Sequence, residues 1–183
     1  MCSQALKRRG DVTVRDMGLP PAATLVTSTF SAPQWDVVVG YAVSSIIDYF
    51  KGDNVPQRTF LSARTTPITF RQRSHPNGTV YEWTSAMMVS TAQFPDAAAL
   101  PQPIDPLKLE PVGFRLVAVR QFSTPHFPSQ AECAAACGGI TPDTLPPGYT
   151  IDSNSTWSPT YAFYSSEESS VFESECWLEV VAR

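Results

Sequence analysis

The sequence is poor in charged residues, and above all in lysine. Only 16% of its 183 residues are charged, and three lysines stand beside ten arginines. Helical bundles usually cover their surfaces with alanine, leucine, glutamate and lysine, so this composition argues against that class. Seventeen prolines and many serines and threonines take the place of charge. Such a balance favours short β-strands joined by long proline-rich loops.

Long apolar runs and a basic net charge are also missing. The longest apolar region, at 35–50, is interrupted by Gly40, Ser44, Ser45 and Asp48, so no membrane span is predicted. The net charge of −4 excludes a globally basic nucleic-acid-binding protein. The first twenty residues or so lack a continuous apolar segment, so no signal peptide is predicted and synthesis in a cytosol is the default.

Apolar and aromatic residues are nevertheless sufficient for a proper core. Hydrophobic residues make up 43% of the chain, which includes ten Phe, six Tyr and four Trp. That content is typical of a folded globular protein. We expect an extended N-terminal arm over residues 1–21, ended by a Pro-Pro sequence, and a single domain over residues 22–183.

Strand signals recur along this domain. Asn77-Gly78 predicts a β-hairpin, because both central positions of a type I′ turn need positive φ, and the fold-back places Arg73 opposite Glu82. Residues 34–43 read as a buried strand, and 170–183 as a half-exposed final strand. Seven to nine such strands without a βαβ rhythm predict an antiparallel β-sandwich, jelly-roll-like, with one or two short helices.

One short helix is predicted with some precision, in the sequence FPSQAECAAACGG at 127–139. Ser129 and Glu132 form the Ser-x-x-Glu capping box that starts a helix. Gly138 and Gly139 are expected to end it.

Two cysteines of this helix, Cys133 and Cys137, lie four residues apart and therefore share a face. Burial against the sheet is the interpretation we favour, because free cysteine is among the most buried residue types. A disulfide from either cysteine to Cys176 is an alternative that needs an oxidising setting. A zinc site with His126 is a further alternative, although two-residue ligand spacings are absent. We predict no metal and no other cofactor.

Catalytic motifs are absent from the sequence. No G-x-S-x-G, H-E-x-x-H or P-loop pattern occurs, and there are only two histidines. We therefore expect a protein that is not an enzyme.

Two charged features are the candidate contact sites. A basic run occupies the arm, and strand alternation puts three glutamates and Trp177 on one face of the final strand, where a solvated surface is the expected setting. Either feature could contact a neighbouring subunit, and the arm could touch phosphate non-specifically. The candidate residues are Lys7, Arg8, Arg9, Arg15, Glu173, Glu175 and Glu179.

In composition and layout the whole chain is similar to small icosahedral virus capsid proteins. Proline, serine and threonine are abundant, arginine is preferred to lysine, and a basic arm precedes a β-rich domain with long loops. The resemblance implies a structural subunit (capsid, minor capsid or spike) that self-assembles with its own copies or other structural chains. Its location would be the virion, after synthesis in a host cytoplasm.

A soluble carbohydrate-binding module of the lectin type is the alternative. In that case exposed aromatic side chains would stack on sugar rings. The candidates are Trp83, Trp157, Tyr161, Tyr164 and Trp177.

Overall fold

The computed structural model describes most of the chain. The described residues are 4–17, 24–32, 35–55, 57, 59, 67–74, 81–89, 100–111, 116–155, 159–164 and 170–183. The secondary-structure elements, in chain order, are β1 (Gln4–Arg9), β2 (Val12–Asp16), β3 (Thr24–Ala32), α1 (Trp35–Lys51), β4 (Asn54–Val55), β5 (Ile68–Ser74), β6 (Tyr81–Met88), β7 (Gln102–Pro103), β8 (Leu107–Pro111), β9 (Leu116–Thr124), α2 (Gln130–Gly138), β10 (Tyr149–Ile151), β11 (Thr160–Tyr164) and β12 (Phe172–Ala182).

Two compact units make up the chain, where the sequence predicts one domain after an arm. The terminal unit comprises Met1–Leu19 and Gly113–Arg183, and the central unit comprises Pro20–Val112. In the terminal unit the strands run in the order β1-β2-β9-β12-β11, with β10 also beside β12. In the central unit the order is β5-β6-β3-β8, and β4 pairs with β7 in a small separate sheet.

The predicted N-terminal arm is instead part of the terminal sheet. β1 and β2 form a hairpin around Gly10, whose φ of 60° suits glycine, and β2 pairs along its length with β9. Val12 and Val14 are completely buried. The alternation of these valines with Thr13 is the strand signal that outweighs the basic residues around it. The first strand, β1, is exposed along all six residues.

The capped cysteine helix is confirmed as α2. Ser129 accepts a hydrogen bond from the Glu132 backbone N–H, and the Glu132 carboxylate accepts one from the Ser129 backbone N–H at 2.8 Å. At the other end, the N–H of Gly139 donates to carbonyls of the last turn. Cys133 and Ala136 are the buried residues of this helix.

Residues 34–43, predicted as a buried strand, lie largely in α1, and that prediction is wrong. The buried residues near its end are Ile46, Tyr49 and Phe50, a spacing that puts them on one helical face. Gly52, with φ of 120°, ends the helix. Its backbone conformation lets the N–H of the next residue donate to a carbonyl of the last helical turns. Valine-rich sequence favours strand locally, but the longer helical period decides the structure.

The hairpin predicted from Asn77-Gly78 is confirmed by its two strands. β5 and β6 are antiparallel neighbours, and Arg73 lies opposite Glu82 as expected. The turn residues themselves, 75–80, lie outside the described part of the chain.

The mainly β, antiparallel fold class with two helices is confirmed, and the final strand is confirmed as β12. The sandwich or jelly-roll layering stays a prediction. Two-residue strands such as β4 and β7 have no detectable period, so the sequence underestimates the strand number. Within the described residues, neither helix has the length and apolar character needed to cross a membrane.

Candidate functional site

A buried carboxylate with four hydrogen-bond donors lies in the middle of the terminal sheet. One oxygen of Glu175, Oε1, accepts from Arg15 Nη1 at 2.8 Å and from Gln121 Nε2 at 2.9 Å. The other, Oε2, accepts from Tyr164 Oη at 2.9 Å and from Trp177 Nε1 at 2.7 Å. We call these five residues the Glu175 cluster.

Four adjacent strands build this cluster. Arg15 comes from β2, Gln121 from β9, Glu175 and Trp177 from β12, and Tyr164 from β11. Glu175 lies directly opposite Gln121 in the ladder, so their side chains share a sheet face. Because alternate residues of a strand share a face, Trp177 joins them from the same strand.

Burial makes this cluster electrostatically strong. Glu175 is 4% exposed and Trp177 is 2% exposed. A carboxylate offers about four lone-pair positions, so the four donors satisfy it fully, which a buried charge requires. The Arg15 guanidinium supplies the balancing positive charge, and its side chain is 19% exposed. Gln121 is exposed, so solvent reaches the cluster at the Gln121 and Arg15 side.

The Tyr164 phenol is held in its protonated form. Burial is the main cause that raises its pKa above the usual value, and the adjacent Glu175 carboxylate raises it further. The nearby Arg15 acts in the opposite direction and is the smaller influence. Tyr164 is therefore a hydroxyl donor at neutral pH, able to hydrogen-bond but not to act as a phenolate.

The disulfide lies on the face of β12 opposite to Glu175. Cys137 of α2 forms a disulfide with Cys176 of β12, with their Cα atoms 5.3 Å apart. Cys133 is a buried thiol outside that bridge, and burial raises its pKa to about 12. Packing, the favoured interpretation, thus holds for Cys133, whereas the disulfide alternative holds for Cys137 and Cys176.

The zinc alternative finds no support in the described residues. His126, its proposed imidazole ligand, lies 3.3 Å from the Glu132 carboxylate, and two of the three proposed sulfur ligands form a disulfide. Within the described ranges no three His, Cys, Asp or Glu side chains are grouped as metal ligands would be.

All four basic residues predicted to reach a neighbour contact their own chain, and three of them contact segments far away in the sequence. Lys7 Nζ donates to the Pro147 carbonyl at 2.8 Å, and Arg9 Nη1 donates to the Leu145 carbonyl at 3.2 Å. Arg15 is the ion-pair partner within the Glu175 cluster.

Arg8, the fourth basic residue, also contacts its own hairpin. Its Nε donates to the Gly10 carbonyl at 2.8 Å. A role in subunit or phosphate contact stays a prediction for all four basic residues.

The glutamates of the final strand differ in exposure, and the predicted solvated face is wrong at Glu175. Glu173 is exposed and Glu179 is half-buried, whereas Glu175 is buried. The predicted alternation is confirmed, but this face of β12 is covered at its centre. A contact role for Glu173 and Glu179 stays a prediction.

The aromatic residues proposed for sugar stacking are mostly inside the protein. Trp83, Tyr161 and Trp177 are each 4% exposed or less, so their ring faces are not open to a glycan. Tyr164 is half-buried and bonded to Glu175. Trp157 lies outside the described residues.

Sequence reasoning named Arg15 and Glu175 but did not bring them together, and it missed Gln121. These residues come from segments 160 and 54 positions away from Glu175 along the chain. The available signal was that Glu175 is followed directly by Cys176 and Trp177, two residue types that favour burial.

The comparisons with known proteins place the fold but not the function. No family model and no curated protein matches the sequence. An uncharacterized conserved protein from Listeria innocua has a similar solved structure, with a TM-score of 0.62, 11% identity, and coverage of 95% of this chain and 94% of that one.

Two further solved structures share the fold. A hydrolase from Listeria innocua has a TM-score of 0.59 at 11% identity, over 96% of this chain and 94% of its own. The EcmrR C-terminal domain has a TM-score of 0.51 at 12% identity, over 100% of both chains. At such identities the likeness concerns the fold alone.

Proposed function

We propose that this protein binds a small polar organic molecule at the Glu175 cluster. The observation that carries the proposal is a buried carboxylate that receives four donors from neighbouring strands, one of which, Gln121, is exposed. A buried ion pair is a weak means of stabilising a fold, because its desolvation cost offsets its attraction. Preorganised polar groups on strands are, by contrast, what a binding site needs.

The exposed side of the cluster indicates the ligand chemistry. Gln121 is neutral and exposed, so its amide is the donor that costs least to displace from Oε1. A ligand amine, amide or hydroxyl could take its place on the carboxylate. The buried Trp177 and Tyr164 donors would keep Oε2 oriented meanwhile. The ligand class is therefore a molecule that offers an N–H or O–H donor.

A thermal-shift screen of small amines, amides and polyols tests this proposal. A ligand should raise the unfolding temperature of the wild type and of Glu173→Gln, and should have no effect on Glu175→Gln. Glu173 is the matched control, because it lies on the same strand and is exposed. Equal shifts in both variants would place the binding elsewhere and overturn the proposal.

Hydrolysis is the second candidate function. It is favoured by the Tyr164 hydroxyl bonded to the Glu175 carboxylate at 2.9 Å, a donor and a base in contact. In such a reaction Glu175 would take a proton from attacking water, and Tyr164, released from the protonated carboxyl, would hydrogen-bond to the oxyanion that develops. Glu175 would then return the proton to the leaving alkoxide as the ester C–O bond breaks. One structure that shares the fold carries the name hydrolase, which is said of that protein.

An ester such as p-nitrophenyl acetate is the probe for this candidate. Turnover above the buffer rate should be lost in Glu175→Gln and Tyr164→Phe. It should persist in Tyr149→Phe, a half-buried tyrosine of β10. Turnover that survives in Tyr164→Phe would remove the donor role from this mechanism.

Self-assembly as a viral-type structural subunit remains a hypothesis supported by composition and layout. The exposed edge strand β1, with Lys7, Arg8 and Arg9, is the surface that such assembly would use. Native mass by light scattering tests it. Large closed particles that weaken on charge reversal at Arg8 and Arg9 would support it, and a monomer would contradict self-assembly by the chain alone. The lectin alternative retains only Trp157 and the half-buried Tyr164 as candidates.

A further inference from the structure

The disulfide and the Glu175 cluster occupy opposite faces of the same two strands. On β12, Cys176 stands between Glu175 and Trp177, and strand alternation directs it to the other face. In the ladder with β9, Cys176 lies opposite Arg120, and Glu175 lies opposite Gln121. The pair Cys176–Arg120 therefore lies on one face of the sheet, and the next pair, Glu175–Gln121, lies on the other.

The first of these pairs fastens α2 to the sheet from both strands. Cys176 carries the disulfide to Cys137. Arg120 Nη1 donates to the carbonyls of Ala135 and Ala136, at 3.4 Å each, in the second half of α2. The position of α2 and the Gln121 bond to the carboxylate are therefore set by adjacent residues of the same strands.

The helix itself buries little, and the apolar anchors Ile140 and Leu145, in the same core cluster as Ala136, follow it in the chain. It has nine residues, and its buried residues are Cys133 and Ala136, which are both small. A helix this short is marginal on its own in water. Among the residues of the helix itself, the disulfide at Cys137 is therefore the main attachment to the sheet.

We propose that the redox state of the Cys137–Cys176 disulfide regulates the Glu175 cluster, an inference that rests on the binding function proposed for that cluster. In the oxidised protein α2 braces the sheet behind the carboxylate. On reduction α2 loses its covalent tether, and Arg120, which also bonds the Asp11 carboxylate at 2.6 Å, loses the two fixed carbonyls that orient its Nη1. The neighbouring Gln121 and Trp177 bonds to Glu175 then loosen, and the fraction of binding-competent protein falls.

The chemistry is thiol–disulfide exchange with a small dithiol as reductant. One thiolate of the dithiol attacks Sγ of Cys137, because that residue is half-buried whereas Cys176 is fully buried. The protein S–S bond breaks, a mixed disulfide forms on Cys137, and Cys176 leaves as a thiolate that takes up a proton. The second dithiol sulfur then releases Cys137 as a thiol and closes the reductant's own disulfide.

The indole N–H of Trp177 is a direct reporter of the cluster, because it donates to Glu175 Oε2 at 2.7 Å. Its NMR signal in the isotope-labelled full chain can be assigned by comparison with Trp177→Phe. On addition of dithiothreitol we expect that signal to shift or broaden. We also expect amide exchange in β9 and β12 to rise about tenfold. The Trp83 indole of the central unit is the internal reference.

Three results would overturn the inference. An unchanged Trp177 signal, with faster exchange confined to α2, would show that the disulfide fastens the helix alone. Loss of dispersion for Trp83 as well would show that the bridge simply keeps the whole chain folded. A dithiothreitol response that persists in Cys137→Ser would show that another group responds.

Variants and readouts keep this test separate from the proposed function. Cys133→Ala leaves the bridge intact and should respond to dithiothreitol like the wild type. If Cys137→Ser does not fold, reduction of the folded wild type still gives the result. No ligand is needed, so a failed ligand screen with a responsive Trp177 signal would refute binding and leave the redox coupling standing.

Discussion

The two helices are held against their strands by different chemistry. The 17-residue α1 of the central unit buries Ile46, Tyr49 and Phe50 within one apolar cluster. The nine-residue α2 of the terminal unit buries only the small Cys133 and Ala136, and relies on point attachments. These attachments are the Arg120 bonds and the disulfide, and the capping box stabilises the start of the helix itself.

This difference shows that helix length and side-chain size decide whether a helix needs attachments other than apolar burial to dock on its strands. Large apolar side chains contribute about 1.5–3 kcal/mol each on burial, so three of them suffice to dock α1. Alanine and cysteine contribute much less. The shorter helix therefore needs covalent and polar attachments, and these can be switched by redox state or pH. A helix docked by burial cannot be released in this way.

Loss of the Tyr49 side chain should have the largest effect on stability. Tyr49 is fully buried, and its hydroxyl donates to the Pro101 carbonyl at 2.7 Å. We expect Tyr49→Ala to lower the free energy of unfolding by about 3–5 kcal/mol, as measured by urea titration. Tyr49→Phe keeps the packing and should cost about 1 kcal/mol. Equal losses in both variants would mean that the hydrogen bond, and not burial, docks α1.

Loss of the disulfide should come next. The bridge closes a loop with a sequence separation of 39 residues. We expect Cys137→Ser to lower the free energy of unfolding by about 2–4 kcal/mol. Dithiothreitol should have no further effect on that variant. It should lower the free energy of unfolding of the wild type by the same amount as the substitution does. A wild type whose urea midpoint is unchanged under full reduction would show that α2 docks by burial after all.

The contrast between the helices also explains what the sequence could predict. The capping box of α2 and the hairpin between β5 and β6 depend on residues close together in the chain. For that reason both were predicted correctly, including the Arg73 register. The strand prediction for residues 34–43 failed because valine favours strands locally, while the start of α1 in this segment is decided by the tertiary structure.

The candidate site lies beyond such local rules. Glu175 was correctly placed on one face of the last strand together with Trp177. That this face is buried there depends on Arg15 and Gln121, which reach it only after β2, β9 and β12 have paired. The sequence predicts the disulfide only as an alternative. It shows the two cysteines, but it does not show that α2 lies close to β12.

Alkaline pH should distinguish the buried titratable groups of the two helices. Burial raises the pKa of Cys133 to about 12 from an ordinary value of 9.0, and raises that of Tyr49 to about 12 from 10.0. Each group stabilises the fold fully below its ordinary pKa, and that stability is lost as pH rises toward the folded value. Near pH 10 the buried thiol should therefore lower the free energy of unfolding by about 1 kcal/mol, and the buried phenol should lower it by less.

Urea titrations between about pH 8 and 10.5 measure this difference. Cys133→Ala should flatten the loss that begins near pH 9, and Tyr49→Phe should affect only the part above about pH 10. If Tyr49→Phe were to abolish the earlier loss instead, the assignment of the groups to the two helices would be reversed.

The capping box should have the smallest effect and the opposite pH dependence. The Ser129 backbone N–H, and after it the Ser129 hydroxyl, lower the pKa of Glu132 below its ordinary value. A lowered carboxyl pKa gives stability that is present above the unfolded value near 4.5 and is lost as pH falls through the folded value.

Amide exchange in α2 of the wild type should accordingly speed up as pH falls through the folded pKa of Glu132. Glu132→Gln should show no such dependence, because an amide can still cap without titrating. Ser129→Ala should cost about 1 kcal/mol or less at any pH. Faster α2 exchange at low pH in Glu132→Gln would instead place the acid sensitivity at another carboxyl group of the terminal unit.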